Sequence, residues 1–392
     1  MRLLLSTIGS RGEAQPVTAL AVQLKELGND VRVVAPPDFE DLVTGNGIGF
    51  TPVGPVLRTV TAVQPKPEDL GRLAEESVRE QFRVVSQAAQ GADVLVAGGA
   101  LQHATRSVAE SVGARYVYAS FCANTLPSPH HAPPAMLGRV PVNGTPEENL
   151  AQWEQHRQLF AASREVLNAE RAKLGLDPVD DVRDHIFGDA PWLAADPVLG
   201  PWPGPGELVQ TGAWLIDDQR PLAPELDAFL AGGEPPIYFG LGSMRGAQDA
   251  AHHAIAAARE LGRRVVLQQG WAGLRLADDA PDCIAIGEVN QQALFRRVAV
   301  VVHHGGAGTT TTAAAAGTPQ VVLPHMYDQY YWGSQVERLN IGRSAAAVTT
   351  EVLAKALQLH EEAAEVGTQV RTDGAKVAAE RLQRIAGVNR AN

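Results

Sequence analysis

Residues 298–317 constrain the fold more than any other stretch of this 392-residue chain. The apolar run Val298-Ala299-Val300-Val301-Val302 leads into His303-His304-Gly305-Gly306-Ala307-Gly308-Thr309, and an alanine-rich run ends at Gly317. A short apolar run, a glycine-rich turn and a helical stretch stopped by glycine read as buried strand, tight turn and helix N-terminus. The first turn of a helix presents free N–H groups and a positive dipole end, so it suits an anion. Glycines let the backbone approach phosphate oxygens, and an imidazole adds one directed donor. Many α/β proteins carry such a turn for packing alone. A second element separates the two readings. The apolar run 320–323 is followed by Pro324-His325-Met326-Tyr327-Asp328-Gln329. Phosphate donors with an Asp-Gln pair one unit later point to a sugar joined to a diphosphate.

The same rhythm runs through both halves. Strand 2–7 leads through a turn at 8–14 to a helix over about 16–27, then strand 30–35, with further short strands at 93–97 and 115–120. The second half repeats it with strands at 237–241, 264–268, 284–286, 298–302 and 320–323 and a helix over about 247–261. Alternating strand and helix imply parallel, doubly wound sheets. Residues 127–146 read as a long loop and 150–174 as one polar helical run. Pro197, Pro201, Pro203 and Pro205 form the densest breaker cluster and mark a boundary. The expected fold is therefore α/β with two facing Rossmann-like doubly wound domains, 1–205 and 222–374. A linker at 206–221 joins them, and a helix within 375–392 packs back across the N-terminal domain. Ligands bind at the carboxyl ends of such strands, in the cleft between the domains.

Composition narrows the class. Hydrophobic residues make up 45% and charged residues 20%, which is ordinary for a globular protein. A net charge of −11 argues against a nucleic-acid partner, so a bound diphosphate needs local donors. Cys122 and Cys283 have no metal-ligand spacing and read as reduced thiols. The apolar start stops at Gly9-Ser10-Arg11, too short for a signal peptide, and no run is long enough for a membrane span. A cytoplasmic protein, monomeric or weakly dimeric, is expected.

Glu13 sits at the cleft end of the first strand, within Gly9-Ser10-Arg11-Gly12-Glu13. It reads either as a partner of the helix dipole or as a general base aimed into the cleft. Arg11 either fixes that carboxylate or is a solvated charge.

At these residues the chain resembles the GT-B glycosyltransferases of family 1, in particular the vancomycin-type glycopeptide enzymes of actinobacteria. The likeness rests on Gly9-Ser10-Arg11-Gly12, Ala35-Pro36-Pro37-Asp38, Pro127-Ser128-Pro129-His130 and Gln210-Thr211-Gly212-Ala213-Trp214. It continues through Gly240-Leu241-Gly242-Ser243, Gly270-Trp271-Ala272, Gly287-Glu288-Val289-Asn290, the 293–298 and 303–309 segments, and Asp328-Gln329. It spans almost the entire chain. The resemblance implies a GT-B fold and transfer of a hexose or deoxyhexose, with inversion, from a UDP- or dTDP-sugar. The acceptor would be a hydroxyl of a hydrophobic small-molecule or peptide natural product. It implies Glu13 as base, and Ser243, His303, Gly305, Gly306, Ala307, Gly308 and Thr309 around the donor diphosphate. Trp271 and Val289 would border the nucleobase, and Asp328 and Gln329 would hold donor sugar hydroxyls. Ser10, Arg11, His103 and His130 are candidate acceptor contacts. His304 is expected to pack structurally.

Two departures from the family pattern bear on chemistry. Glu13 stands where these enzymes usually carry Asp, and Ala97-Gly98-Gly99 offers no acid where His-based relatives have an orienting Asp. Direct carboxylate catalysis is the expectation. His325-Met326-Tyr327 also differs from the commoner Ala before Asp, and Tyr330-Tyr331-Trp332 reads equally as packing or as a sugar-stacking floor. His130 and His131 lack a third ligand, and the paired acids at 180–181, 217–218 and 278–279 are loop-like rather than a metal clamp. No metal and no cofactor beyond the nucleotide sugar are expected, the leaving charge being met by His303 and the helix dipole. Two rival readings are a non-catalytic auxiliary protein and a nucleotide-sugar epimerase of the same fold.

Overall fold

The computed structural model describes residues 1–60, 69–135, 140, 142–204, 208–242 and 248–387. Strands β1 (Arg2–Thr7), β2 (Asp30–Ala35), β3 (Gly49–Pro52), β4 (Val94–Gly98), β5 (Arg115–Ser120), β6 (Trp192–Leu193) and β7 (Val209–Gln210) form one sheet in the order β3-β2-β1-β4-β5-β6-β7. Strands β8 (Ile237–Gly240), β9 (Val265–Gln268), β10 (Cys283–Ile286), β11 (Val300–His303), β12 (Gln320–Val322) and β13 (Gly342–Ser344) form the other, ordered β10-β9-β8-β11-β12-β13. Every strand pairing among the described residues is parallel. Both sheets therefore wind outward, return and wind the other way. The reversal lies between β1 and β4 in one and between β8 and β11 in the other. At such a point the connecting loops diverge and open a crevice beyond the strand ends.

Side-chain alternation explains why consecutive apolar residues are needed. Leu3 and Leu5 face the helices Arg11–Glu26 and Gly374–Gly387, through Leu20, Leu24, Ala378 and Leu382. Leu4 faces the opposite way, into a cluster with Val78, Phe82 and Leu95. Val300 and Val302 likewise face one core and Val301 another. A strand covered on both sides has no polar face to show.

Several elements differ from their sequence-based expectation. The first helix starts at Arg11, not near Pro16, because Ser10 caps it by accepting from the Gly12 N–H at 3.4 Å. Pro16 lies inside the helix and costs one backbone hydrogen bond. The polar run 150–174 is two helices, Pro146–Ala161 and Arg164–Lys173; the first opens on a capping box between Thr145 and Glu148. β3, β6, β7 and β13 are two to four residues long and carry no periodic signal. Among the described residues no helix is long and apolar enough to cross a membrane.

The last helix, Gly374–Gly387, lies on Arg11–Glu26. Its entry is fixed by Asp196, fully buried, whose carboxylate accepts from the backbone N–H of Val198 (2.9 Å), Leu199 (3.1 Å) and Arg371 (2.9 Å). Next to it the backbone of Gly374 presses on Gly212, so closely that a Cβ on Gly374 would lie 2.3 Å from the Gly212 carbonyl carbon. Asp196→Ala leaves three backbone donors without their charged acceptor. We expect a loss of about 2–4 kcal/mol, read as a fall of several degrees in the thermal midpoint, whereas Asp196→Asn should lose less.

Candidate active site

Glu13 lies in the first turn of the helix after β1, half-buried at the sheet's switch point. Its carboxylate turns back to the strand it follows: the Thr7 hydroxyl donates to Oε2 at 2.9 Å. Two glycines make room. A Cβ on Gly9 would come within 2.2 Å of the carboxylate, and one on Gly99, just past β4, within 2.3 Å. Gly99 also holds φ +91°, a conformation that disfavours side chains. Burial raises the Glu13 pKa to about 7, with Asp328 adding a smaller repulsion; the Thr7 hydroxyl and the Gly9 N–H oppose the rise. The helix N-terminus favours the charged form too, and burial outweighs it.

Asp328 comes from the other half, in the loop that opens the helix Gln329–Arg338. Burial lifts its pKa to about 6, opposed by the Trp332 indole, which donates to Oδ2 at 3.0 Å. Gln329 is buried, and its side-chain oxygen accepts from the N–H groups of His325 (2.8 Å) and Met326 (3.1 Å). That bond shapes the loop presenting Asp328. Tyr327 sits in it at φ +53° and forms an antiparallel bridge with Ala135 of the N-terminal half.

The glycine-rich turn places the two histidines differently from the expectation. His303, expected to face a diphosphate, has no exposed surface. Its Nε2 pairs with Gln320 Oε1 on β12 at 2.9 Å, and its Nδ1 accepts from the Gly305 N–H at 3.1 Å. Both ring nitrogens are spent inside the fold, and so is the Gly305 N–H. His304, expected to pack structurally, stands at the turn instead. Its ring lies between Gly242, after β8, and Gly306: Cβ atoms built there would be 3.1 Å and 2.7 Å from it. His304 Nδ1 is buried with no hydrogen-bond partner among the described residues. Burial and His325 lower its pKa to about 4, so the ring is neutral at pH 7. The helix Ala307–Ala315 begins immediately beyond, with Gly306 as a cap that supplies no side-chain acceptor. The first-turn N–H groups of Ala307, Gly308 and Thr309 thus gather beside His304.

The remaining expected residues divide. Trp271 is held by its N–H to the Gly242 carbonyl (3.0 Å) and meets the N-terminal half: its ring stacks on Phe39 at 6.1 Å, with the Arg58 guanidinium 5.1 Å from its centroid. Val289 lines a separate cavity of about 500 Å³ with Arg220, Leu222, Ile284 and Gly287; Trp271 does not border it. Arg11, expected at the acceptor, forms an ion pair across the cleft with Glu288 instead. His103 is corrected from acceptor contact to buried brace. Its ring nitrogens pair with the Leu101 carbonyl (3.2 Å) and Ser163 Oγ (3.0 Å), joining β4's exit to the helices over 146–173. His130 is exposed, its N–H donating to Ser128 Oγ at 3.1 Å. Ser10 is an exposed helix cap. Ser243 lies outside the described residues. Among the described residues no three His, Cys, Asp or Glu side chains gather as a metal-ligand set.

Sequence reasoning missed Thr7, Gly99 and His304. One signal was available: Gln320 is a polar residue opening the apolar strand β12 and needs a buried partner, which His303 supplies.

A raised carboxylate pKa has a definite sign in stability. With Glu13 near 7 when folded and 4.5 as its ordinary value, the folded state holds the extra proton between those pH values. Stability therefore falls as pH rises through that window. Glu13→Gln should be close to neutral at pH 4 and stabilising by about 1–3 kcal/mol at pH 8. Thermal midpoints of both proteins across that range check it.

Residues 3–128 match the glycosyltransferase family 28 N-terminal domain, and residues 253–385 match the erythromycin biosynthesis protein CIII-like C-terminal domain. The vancomycin aglycone glucosyltransferase of Amycolatopsis orientalis is 46% identical, with 97% of each chain covered. The dTDP-epi-vancosaminyltransferase of the same organism is 40% identical, covering 87% of this chain and 85% of its own. Among solved structures, the kitacinnamycin glycosyltransferase superposes with a TM-score of 0.74 at 20% identity, 98% of each chain being covered. The SsfS6 glycosyltransferase of Streptomyces sp. SF2575, complexed with thymidine diphosphate, does so at 0.62 and 20%, covering 98% of this chain and 99% of its own. These structural likenesses show the GT-B fold, and the sequence identities show that the chain belongs to the nucleotide-sugar-dependent glycosyltransferases of the vancomycin type.

Proposed function

We propose that the protein transfers a hexose or deoxyhexose, with inversion, from a UDP- or dTDP-sugar to a hydroxyl of a hydrophobic natural-product aglycone. The observation that carries the reading is Glu13, a half-buried carboxylate at the cleft with a pKa of about 7, facing Asp328 of the opposite half and mounted on a helix that meets the helix Ala307–Ala315. A base is most effective when its pKa lies near the working pH. Glu13 takes the acceptor proton, the oxygen attacks the anomeric carbon, and the diphosphate leaves toward His304 and the first-turn N–H groups of Ala307, Gly308 and Thr309. The Asp328 carboxylate accepts from sugar hydroxyls, and Gln329 shapes its loop. Residues 1–205 carry the acceptor and 222–374 the donor, whose nucleobase lies in the cavity that Val289 lines. The leaving charge is met by imidazole and helix dipole without a metal ion.

The test incubates the protein with UDP- and dTDP-sugars and a panel of aglycones, in a chelator, and follows a mass gain of one sugar. Glu13→Gln should bind donor normally and lower turnover by about 10²–10⁴. Turnover within a few-fold of the parent removes Glu13 from the mechanism, and loss in the chelator restored by Mg²⁺ removes the metal-free account.

The two histidines give a second measurement. His304→Ala should weaken nucleotide-diphosphate binding by about tenfold to a hundredfold, the worth of one charge-assisted hydrogen bond. His303→Ala should chiefly lower the thermal midpoint, because it strips Gln320 and Gly305 of their buried partner. Calorimetry with the diphosphate on both variants decides, and the reverse pattern returns the role to His303.

A further inference from the structure

We infer that Thr7, Gly9 and Gly99 form a socket built for the carboxylate of Glu13, in which Thr7 is a positioning residue that sets the pH at which the base ionises. The inference rests on the reading of Glu13 as base. Three observations carry it. Thr7 is the last residue of β1, fully buried, and its hydroxyl donates to Glu13 Oε2 at 2.9 Å. Gly9 and Gly99 come from the loops after β1 and β4, on the two sides of the switch point, and both leave open the volume the carboxylate fills. Gly99 is held at φ +91° by an N–H bond to the Ala119 carbonyl (3.3 Å), so the open volume is fixed by the backbone of the sheet.

The socket suits the longer acid. A glutamate starting from the first helical turn reaches back to the strand end. An aspartate at position 13 is one methylene shorter and falls short of the Thr7 hydroxyl with the helix in place. Thr7 pairs in register with Gly98 on β4, so its backbone is anchored by the sheet and its hydroxyl cannot follow a retracted acid. The longer acid thus works with a strand-mounted donor that fixes both carboxylate orientation and charge.

The groups facing Glu13 act in known directions. Asp328 and burial favour the protonated acid, and the Thr7 hydroxyl and the Gly9 N–H favour the carboxylate. The phenols of Tyr118 on β5 and Tyr327 face the same charge and stay protonated. Arg11, the nearest cation in sequence, is taken by Glu288. Among the described residues Thr7 is therefore one of few groups that hold the base ionised near neutral pH. Removing its hydroxyl raises the pKa, and the acid limb of the rate profile must move to higher pH.

The experiment is the pH dependence of kcat/KM for the acceptor at saturating nucleotide sugar, for the parent, Thr7→Val and Thr7→Ser. Valine keeps the shape and branching of the strand residue; serine keeps the hydroxyl. In Thr7→Val the acid limb should move up by about one pH unit, a roughly tenfold loss below it, with the curves converging at high pH. Thr7→Ser should stay near the parent limb. Nucleotide affinity should be unchanged in both. A uniform loss at every pH, with no shift, would show a merely structural threonine and overturn the inference. A second arm uses Gly99→Ala, which should displace the carboxylate and lower kcat by about 10²-fold or more with donor KM unchanged; near-parent turnover would overturn the socket. Glu13→Gln separates the two levels. If it stays active, the base assignment fails; if it is dead while Thr7→Val leaves the limb in place, only the positioning role fails.

Discussion

The structure turns on the desolvation of two carboxylates, Glu13 and Asp328, brought from opposite halves into one cleft. Burial raises both, to about 7 and about 6. Among the described residues neither is paired with a cation, so their burial opposes folding at neutral pH, and the rest of the molecule has to hold them there. The means are specific. Each carboxylate receives one side-chain hydrogen bond from a well-buried donor residue, Thr7 in one case and Trp332 in the other. Two glycines supply space for the first, and the helix Ala307–Ala315 opens without a side-chain cap in the other half.

Bringing the acids together is the work of contacts between the halves. Arg11 pairs with Glu288, Phe39 stacks on Trp271, and Tyr327 bridges Ala135. Behind the cleft Arg338 donates to the Val198 carbonyl at 2.9 Å, and the Trp332 ring packs on Gly200. Asp196 fixes the segment that carries the last helix onto Arg11–Glu26, the helix on which Glu13 is mounted. Glu13 therefore sits on an element clamped from two directions, by its own sheet and by the chain's final helix. Placement of this accuracy is what the proposed role of Glu13 as general base requires, since small displacements cost large factors in rate.

How much of this was legible in the chain follows from what each feature depends on. The central strands β1, β4, β8 and β11 could be read because burial on both faces forces consecutive apolar residues, and the glycine turns after β4, β8 and β11 because sharp turns need positive φ. The edge strands could not, since Trp192–Leu193 and Val209–Gln210 owe their state to pairing alone. Pro16 misplaced the first helix because a cap at Ser10 outweighs one lost backbone bond. His303 and His304 are adjacent and chemically identical; only the partner on the neighbouring strand, Gln320, decides which one is buried. Glu13 was visible as an acid at a strand end. Its socket was not, because Thr7 and Gly99 lie 92 residues apart in the sequence and meet only through the pairing of β1 with β4.

The raised pKa of Glu13 and the unpaired nitrogen of His304 also fit one another. The chain carries a net charge of −11, and a nucleotide diphosphate adds more negative charge beside two acids. In the proposed reaction the leaving diphosphate gains charge while Glu13 gains a proton and becomes neutral. The repulsion that Asp328 exerts on Glu13 is thereby relieved in the same step that loads charge onto the turn at Gly306. His304, neutral in the free protein because burial lowers its pKa to about 4, is pushed toward protonation by the same developing charge. His304 thus starts in the neutral state that burial favours and Glu13 ends in it, and transfer moves each in the direction that the new charge distribution stabilises. A carboxylate with an ordinary pKa would hold the proton less well at this point, and the products would carry an additional unpaired negative charge inside the cleft.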